Sequence, residues 1–145
     1  MTPAGKKQLG IDEGSEAYLY DDATGERIVP GYTVSGNPTI GKGRDLVANP
    51  LSPAEIDFLF ANDVTTATAF VIRNFPWFGQ LSPARQDVMV NLAFNLQKRL
   101  FGFTHFLAAM EKGDWIEAAA QLKDSEAYKR GPARFERLMK AILGR

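Results

Sequence analysis

The amino-acid sequence predicts an α+β fold built as one domain, and three observations support that class. The chain has 145 residues, which is the usual size of a single domain. Between residues 13 and 50, short β-branched and aromatic runs alternate with turn residues, a pattern typical of a small antiparallel sheet. From residue 52 onward, apolar residues recur at three- and four-residue steps, as amphipathic helices require. We therefore expect a sheet lobe at 13–50 and a helical lobe at 80–145, the second including a short helix at 2–12.

The predicted sheet contains four short runs separated by turn signals. The runs lie at 18–20, 27–29, 32–34 and 39–41. Glycine, proline, asparagine and aspartate occur between them, which favours turns over continued strands. A sheet of this size is not stable alone, so we expect it to be flanked by helices.

The predicted helices begin at recognisable capping residues. A serine followed by proline combines an N-cap with the residue best suited to the first helical position, and this pair occurs at Ser52 and Ser82. The first pair predicts a long interlobe helix at 53–74. Thr104 and Asp114 are the expected caps of two later helices.

Several phenylalanines are expected to contribute to the hydrophobic core. They recur at helical spacing on the interlobe helix and on the helix after Ser82. The set consists of Phe58, Phe60, Phe70 and Phe94.

The composition excludes several classes of protein. Seventeen basic residues balance seventeen acidic ones, so no global charge favours a nucleic-acid partner. The chain has no cysteine and one histidine, His105, which excludes disulfides, cysteine-ligated zinc and multi-histidine metal sites. No apolar stretch reaches the ~18 residues of a membrane span, and the first residues lack the apolar segment of a secretion signal. We expect no metal, no cofactor and no stable membrane insertion, in a protein made in the cytoplasm.

Two acidic residues and a threonine in the glycine-rich half point to possible chemistry. Glu13 follows the first helix, Asp22 lies nine residues later at the first sheet turn, and Thr39 opens a Thr-Ile-Gly-Lys-Gly run. Glycoside hydrolysis needs one acid to protonate the leaving oxygen and one carboxylate at the anomeric carbon or on its water. The spacing alone equally allows Glu13 to be a surface acid at a helix end and Asp22 to be a turn former.

Three sequence segments together resemble a known family. The segments are Ile11-Asp-Glu-Gly14, Tyr20-Asp-Asp22-x-x-Gly25 and Thr39-Ile-Gly-x-Gly43. Their order and spacing resemble the signature of glycoside hydrolase family 24, the T-even phage type of lysozyme. The similarity continues collinearly through the interlobe helix, the 91–95 segment and the 117–137 segment, so it covers nearly the whole chain.

The resemblance implies a lysozyme-like fold and a muramidase, which hydrolyses the β-1,4 bond between N-acetylmuramic acid and N-acetylglucosamine in peptidoglycan. It implies that Glu13 is the general acid, that Asp22 positions or deprotonates the attacking water, and that Thr39 holds that water or the substrate. An inverting mechanism of this kind needs the two carboxyl groups roughly 6.5–9.5 Å apart. Phe94 and Arg134 match substrate-groove positions of the family, and Arg134 is expected to pair with Glu13.

The biological role implied by the resemblance is that of a phage or prophage endolysin. Its expected partners are the glycan strands of peptidoglycan, and the protein is expected to be a monomer. It would be made in the host cytoplasm and would reach the cell wall after release by another, holin-type protein. Two alternatives stay open: a non-catalytic module that binds peptidoglycan or a protein partner, and a virion-attached enzyme that acts at infection.

Two departures from the family pattern lead to further expectations. Sixteen residues separate Asp22 from Thr39, so the hairpin carries an insertion. Arg44 occupies the position of a family histidine that pairs with an aspartate of the interlobe helix, and that aspartate aligns with Asp63. We therefore expect an Arg44–Asp63 ion pair that fastens the sheet lobe to the helix. Such a pair is expected to weaken as acid protonates Asp63.

Overall fold

The computed structural model describes the whole chain, residues 1–145, and its fold class is α+β. Seven α-helices and a three-stranded antiparallel sheet make up the regular structure, together with two short 3-10 helices, Phe78–Gln80 and Gln97–Gly102. In chain order the elements are α1 (Pro3–Asp12), β1 (Glu16–Asp21), β2 (Pro38–Gly41), β3 (Arg44–Asp45), α2 (Pro53–Asn74), α3 (Pro83–Leu96), α4 (Thr104–Lys112), α5 (Trp115–Lys123), α6 (Glu126–Arg130) and α7 (Pro132–Leu143). The chain divides into two units, which we call the N-terminal unit (Met1–Asp57) and the C-terminal unit (Phe58–Arg145).

The sheet of the N-terminal unit has the order β1-β2-β3, and each neighbouring pair is antiparallel. Tyr20 of β1 and Asp45 of β3 both lie opposite Thr39, which places this threonine on the central strand. Lys42 and Gly43 form the turn between β2 and β3. The predicted antiparallel sheet is therefore confirmed.

The two middle runs of the predicted sheet, 27–29 and 32–34, do not form strands. Arg27 makes only an isolated bridge with Tyr20. The remainder of the segment between β1 and β2 is a loop, and near its end the backbone amides of Ser35 and Gly36 donate to a side chain. The prediction of strands in this insertion is therefore wrong.

Asp21, the last residue of β1, is the side chain that organises the loop, and it is fully buried. Its carboxylate accepts four hydrogen bonds. The donors are the backbone amides of Ala23 (3.0 Å), Ser35 (2.7 Å) and Gly36 (2.9 Å) and the hydroxyl of Tyr32 (3.1 Å). The bond from the Ser35 amide is the main reason that the pKa of Asp21 lies below its ordinary value, although burial acts in the opposite direction.

The buried residues of the N-terminal unit are polar. Asp21 and Thr39 are its only buried residues, whereas every buried hydrophobic residue belongs to the C-terminal unit. Hydrophobic burial is usually the dominant stabilising contribution in a folded domain. The N-terminal unit therefore depends to an unusual degree on directed hydrogen bonds.

The start of α2 is fixed by a reciprocal cap between Ser52 and Glu55. The backbone amide and the hydroxyl of Ser52 each donate to Glu55 Oε2 at 2.8 Å, and the Glu55 amide lies 3.4 Å from the Ser52 hydroxyl. Arg44 donates to both carboxylate oxygens of Glu55. The same guanidinium also donates to the carbonyls of Asn49 and Pro50. The Ser52 bonds, followed by those from Arg44, lower the pKa of Glu55 to about 2.

The predicted partner of Arg44 is therefore wrong. The sequence indicates Asp63, but the arginine pairs with Glu55, which lies eight residues earlier on α2. Eight helical residues correspond to about 12 Å along the axis, so the two acids are not interchangeable partners. Arg44 pairs with Glu55 because this glutamate lies in the first turn of α2, shortly after Asn49 and Pro50, whose carbonyls accept from the same guanidinium.

The hydrophobic core lies in the C-terminal unit. Its largest fully buried hydrophobic side chains are Phe106, Met89, Leu92, Leu100, Met110, Leu122 and Ile142. The long helix α2 has the predicted bounds, but only Ala67 and Val71 of it are buried. Phe58 and Phe60 are 67% and 56% exposed, so their expected place in the core is wrong. Both lie on the part of α2 before Ala67, which has no buried residue.

The predicted N-cap positions of the later helices are confirmed in two cases of three. Asp114 caps α5 by accepting a first-turn amide at 3.0 Å. Ser82 takes the N-cap position of α3 with Pro83 as the first helical residue, although its hydroxyl accepts from the Arg85 side chain and makes no capping bond. Thr104 is the first residue of α4, and Phe103 takes the N-cap position, because the preceding 3-10 helix ends directly before it.

We expect Asp21→Asn to loosen the N-terminal unit selectively. Asparagine places an amide N–H group against the donors that now bond the carboxylate, so at least one buried donor loses its partner. Hydrogen exchange at the Ser35 and Gly36 amides should accelerate at least ~10-fold, with no change in the core of the C-terminal unit. Asp57→Asn is the matched control, because that aspartate of the same unit is exposed and lies on α2, outside the loop. Equal exchange in both variants would contradict the role of Asp21.

The bonds that the Glu55 carboxylate receives from Ser52, and then from Arg44, predict a defined sensitivity to acid. The folded pKa of Glu55, about 2, lies below its ordinary 4.5, so the stabilisation is complete above pH 4.5 and is lost as pH falls towards 2. Glu55→Gln should remove this part of the acid dependence of the free energy of unfolding. In double-mutant cycles, Arg44→Ala should couple to Glu55→Ala but not to Asp63→Ala. The opposite pattern would restore Asp63 as the partner.

Candidate active site

Glu13 lies at the C-terminal end of α1, where it is the C-cap residue and is exposed. Gly14 follows with a φ of 70°, the left-handed conformation that ends many helices. The carboxylate lies beside Gly43, because a Cβ atom at that position would come within 2.7 Å of Glu13 Oε2. The turn between β2 and β3 therefore borders the Glu13 carboxylate on one side.

Asp22 directly follows β1 and is exposed. The backbone amide of Asn37 donates to Asp22 Oδ1 at 2.6 Å, and the side-chain amide of Asn37 donates to Oδ2 at 3.3 Å. A Cβ atom at Gly36 would collide with Oδ1, so the loop backbone approaches the carboxylate closely. Both oxygens of Asp22 are thus held by a single residue of the insertion.

Thr39 lies on β2 and is buried, with 3% of its surface exposed. Its hydroxyl donates to the carbonyl oxygen of Asn37 at 3.2 Å. The same carbonyl accepts the backbone amide of Asp22, also at 3.2 Å. A hydroxyl that donates in this way keeps its own lone pairs as acceptors for a water molecule or a substrate group.

Asn37 connects two of the three candidate catalytic residues. It holds the carboxylate of Asp22 through its amides and receives the hydroxyl of Thr39 on its carbonyl. Glu13 lies against the turn that follows the strand of Thr39. Asn37 carries no signal in the sequence beyond its place in the predicted turn at 35–38. The arrangement offers two exposed carboxylates and one oriented hydroxyl, the groups that acid–base hydrolysis of a glycosidic bond employs.

Arg134 lies in the first turn of α7, within the C-terminal unit. Its guanidinium donates to Asn91 Oδ1 at 3.0 and 2.7 Å and to the side-chain oxygen of Asn95. Burial, and then the charge of Arg137, lower the pKa of Arg134 from its ordinary value. The expected pair of Arg134 with Glu13 stays a prediction.

A cavity of about 550 Å³ lies beside this guanidinium in the C-terminal unit. Arg99, Arg130 and Arg134 line it, together with apolar side chains. Its one acidic residue, Glu126, is paired with Lys129. Guanidinium groups recognise carboxylates and phosphates, so the cavity suits an anionic ligand with an apolar part.

Phe94 is half-buried on α3, with its ring edge-to-face against Phe60 at a centroid distance of 5.7 Å. It lines a second cavity of about 480 Å³ whose other lining residues are Asp63, Thr66, Ala67, Phe70, Ala93, Gln97 and Lys98. An aromatic ring beside an open cavity can stack on a ligand. The substrate-binding role of Phe94 stays a prediction.

The family of this chain stays a prediction from the resemblance. The sequence matches no protein-family model. No group of three or more histidine, cysteine, aspartate or glutamate side chains is arranged to hold a metal ion. None of the helices combines the length and the apolarity needed to cross a membrane. What the structure adds is the geometry around Glu13, Asp22 and Thr39.

Gly41 and Gly43 provide a matched pair of substitutions that tests this geometry. Both have a φ of 69°, so alanine at either position should cost about 1–2 kcal/mol in backbone strain. Only at Gly43 does the added Cβ meet Glu13. We expect similar losses of stability in chemical denaturation, but a shifted carboxyl NMR resonance of Glu13 only in Gly43→Ala. Shifts of equal size in the two variants would contradict the contact.

Proposed function

We propose that this protein is a muramidase with a lysozyme-like fold, of the glycoside hydrolase family 24 type. Its proposed reaction is hydrolysis of the β-1,4 bond between N-acetylmuramic acid and N-acetylglucosamine in peptidoglycan. The observation that carries the proposal is that Glu13, Asp22 and Thr39 lie at a helix end, a strand end and a central strand of one small unit. Polar contacts hold Asp22 and Thr39, the Glu13 carboxylate lies beside Gly43, and both acids are exposed.

The bonding of two adjacent aspartates favours a functional role for Asp22. An aspartate that only forms a turn bonds the backbone amide two residues later. Asp21 makes that bond, to the amide of Ala23, and is buried. Asp22 is instead held by Asn37, fifteen residues away, and is exposed. The turn therefore does not need the carboxylate of Asp22, which is available for chemistry.

In the proposed mechanism, Glu13 donates its proton to the glycosidic oxygen as the bond to the anomeric carbon breaks. Asp22 accepts a proton from the water that attacks the opposite face of the sugar. Thr39 accepts a hydrogen bond from that water or from the substrate. A single displacement of this kind inverts the anomeric carbon, so a β-linked substrate yields an α-configured product. It needs the two carboxyl groups roughly 6.5–9.5 Å apart.

The charge of the C-terminal unit is compatible with this substrate. Peptidoglycan carries carboxylates on its muramic acid substituents and peptide stems. The cavity lined by Arg99, Arg130 and Arg134 offers guanidinium groups to such carboxylates, with apolar walls for the remaining ligand surface. Phe94 is proposed to stack on a sugar ring. These contacts would contribute to substrate binding, not to bond cleavage.

The proposed biological role is that of a phage or prophage endolysin, and its support is the resemblance. The enzyme would be synthesised in the host cytoplasm as a monomer. A holin-type protein would then release it to the glycan strands of the cell wall. No metal or cofactor has a step in the proposed reaction.

Glu13→Gln should lower the rate of peptidoglycan hydrolysis by at least ~10²-fold, because glutamine cannot donate the proton that the leaving oxygen needs. The measurement is the release of new reducing ends from purified peptidoglycan, alongside lysis of permeabilised Gram-negative cells. Glu16→Gln is the matched control: this exposed glutamate lies three residues later on β1 and has no proposed role.

The outcomes distinguish the two classes of function. Loss of activity in Glu13→Gln but not in Glu16→Gln supports the muramidase. Peptidoglycan binding by the wild-type protein without any new reducing ends would favour the non-catalytic module instead. NMR of freshly released product identifies the stereochemistry, since an α-anomer indicates inversion and a β-anomer would overturn it.

A further inference from the structure

The helix that carries Glu13 has little hydrophobic attachment. None of the ten residues of α1 is buried. Its two large aliphatic residues near the C-terminus, Leu9 and Ile11, are 45% and 63% exposed. A general acid must nevertheless stay in place, because a misplacement of about 1 Å can cost ~10²-fold in rate. Something other than apolar packing has to hold the end of this helix.

Lys42 makes the polar contacts that do so. Its ammonium group donates to the carbonyl oxygen of Gly10 at 2.6 Å and to that of Gly14 at 3.0 Å. The last carbonyls of a helix lack partners within the helix, and its C-terminus carries partial negative charge, so a cation is favourable there. At this end the Gly14 amide bonds Ile11, which leaves the Gly10 carbonyl to the lysine. The two bonds lie on either side of Glu13 in the chain.

The position of Lys42 relates this tether to the other candidate catalytic residues. The lysine lies in the turn directly after β2, the strand that carries Thr39. Its neighbour Gly43 leaves the space that the Glu13 carboxylate occupies. In the turn between β2 and β3, Lys42 therefore bonds the backbone on both sides of Glu13, and Gly43 leaves room for its carboxylate.

We propose that Lys42 is the positioning residue of Glu13. It does not contact the reacting atoms; it fixes the backbone of residues 10–14 to the turn between β2 and β3, so that the acid keeps its place relative to Thr39. This inference rests on the proposed function only for its effect on catalysis. The tether itself is a property of the folded N-terminal unit.

The kinetic test compares Lys42→Met, Lys42→Arg and Lys7→Met on purified peptidoglycan. Methionine keeps the length of the side chain but removes the donors, and we expect kcat to fall about 10- to 100-fold with KM within about twofold. Arginine can donate to two carbonyls and should keep kcat within about threefold of the wild type. Lys7→Met removes one exposed lysine of α1 itself and should behave as the wild type.

The structural test is amide hydrogen exchange at Glu13 and Gly14 in the same variants. Lys42 is exposed in a turn, so Lys42→Met is expected to fold, and exchange should accelerate at least ~10-fold only in this variant. Normal exchange in Lys42→Met overturns the tether. Faster exchange with unchanged kcat in an active wild type overturns the positioning role and leaves the muramidase intact. An inactive wild type overturns the proposed function, and the exchange data then decide the tether alone.

Discussion

The N-terminal unit depends on the buried carboxylate of Asp21. Removing a charge from water is costly unless hydrogen bonds replace its hydration, and Asp21 receives four, three of them from backbone amides. Those bonds shape the loop between β1 and β2, which forms no strand. The lowered pKa keeps the group ionised at neutral pH, so the loop forms around a permanent negative charge. Ser35 and Gly36, which donate two of the bonds, directly precede Asn37 and therefore place it beside Asp22.

The two units are stabilised by different kinds of interaction. The C-terminal unit contains the hydrophobic core, with side chains such as Phe106 and Leu122 fully buried. In the N-terminal unit, α1 is tethered by Lys42 and the first turn of α2 by the Arg44–Glu55 pair. Hydrogen bonds are directional and depend on distance, whereas apolar contacts tolerate small shifts. A unit held in this way fixes the orientation of polar side chains well, and it is sensitive to changes at single residues.

The sequence predicts the features that repeat locally and misses those that depend on tertiary contacts. The bounds of α2 follow from an N-cap, a proline and helical periodicity, and all of these are local signals. Strand propensity alone fails at 27–34: the Tyr32 hydroxyl and the amides of Ser35 and Gly36, which directly follow this run, bond the Asp21 carboxylate, and no periodic pattern reveals a buried charge. Helical periodicity places Phe58 on an apolar face of α2, but it does not specify whether another element covers that face, and Phe58 is exposed. Glu13, Asp22 and Thr39 were identifiable through resemblance, whereas Asn37 and Lys42 act through contacts 15 and 28–32 residues distant in the chain.

The sixteen residues between Asp22 and Thr39 thereby have a structural role. It supplies the partners that bury Asp21, and it supplies Asn37, whose carbonyl and amides join the end of β1 to the central strand. A shorter hairpin has no residues to spare for these bonds and would need apolar packing to hold the same two side chains. The N-terminal unit has no buried hydrophobic residue to provide it. The loop between β1 and β2 therefore takes over, in this unit, the supporting role that a hydrophobic core has in larger domains, and it does so next to Asp22 and Thr39.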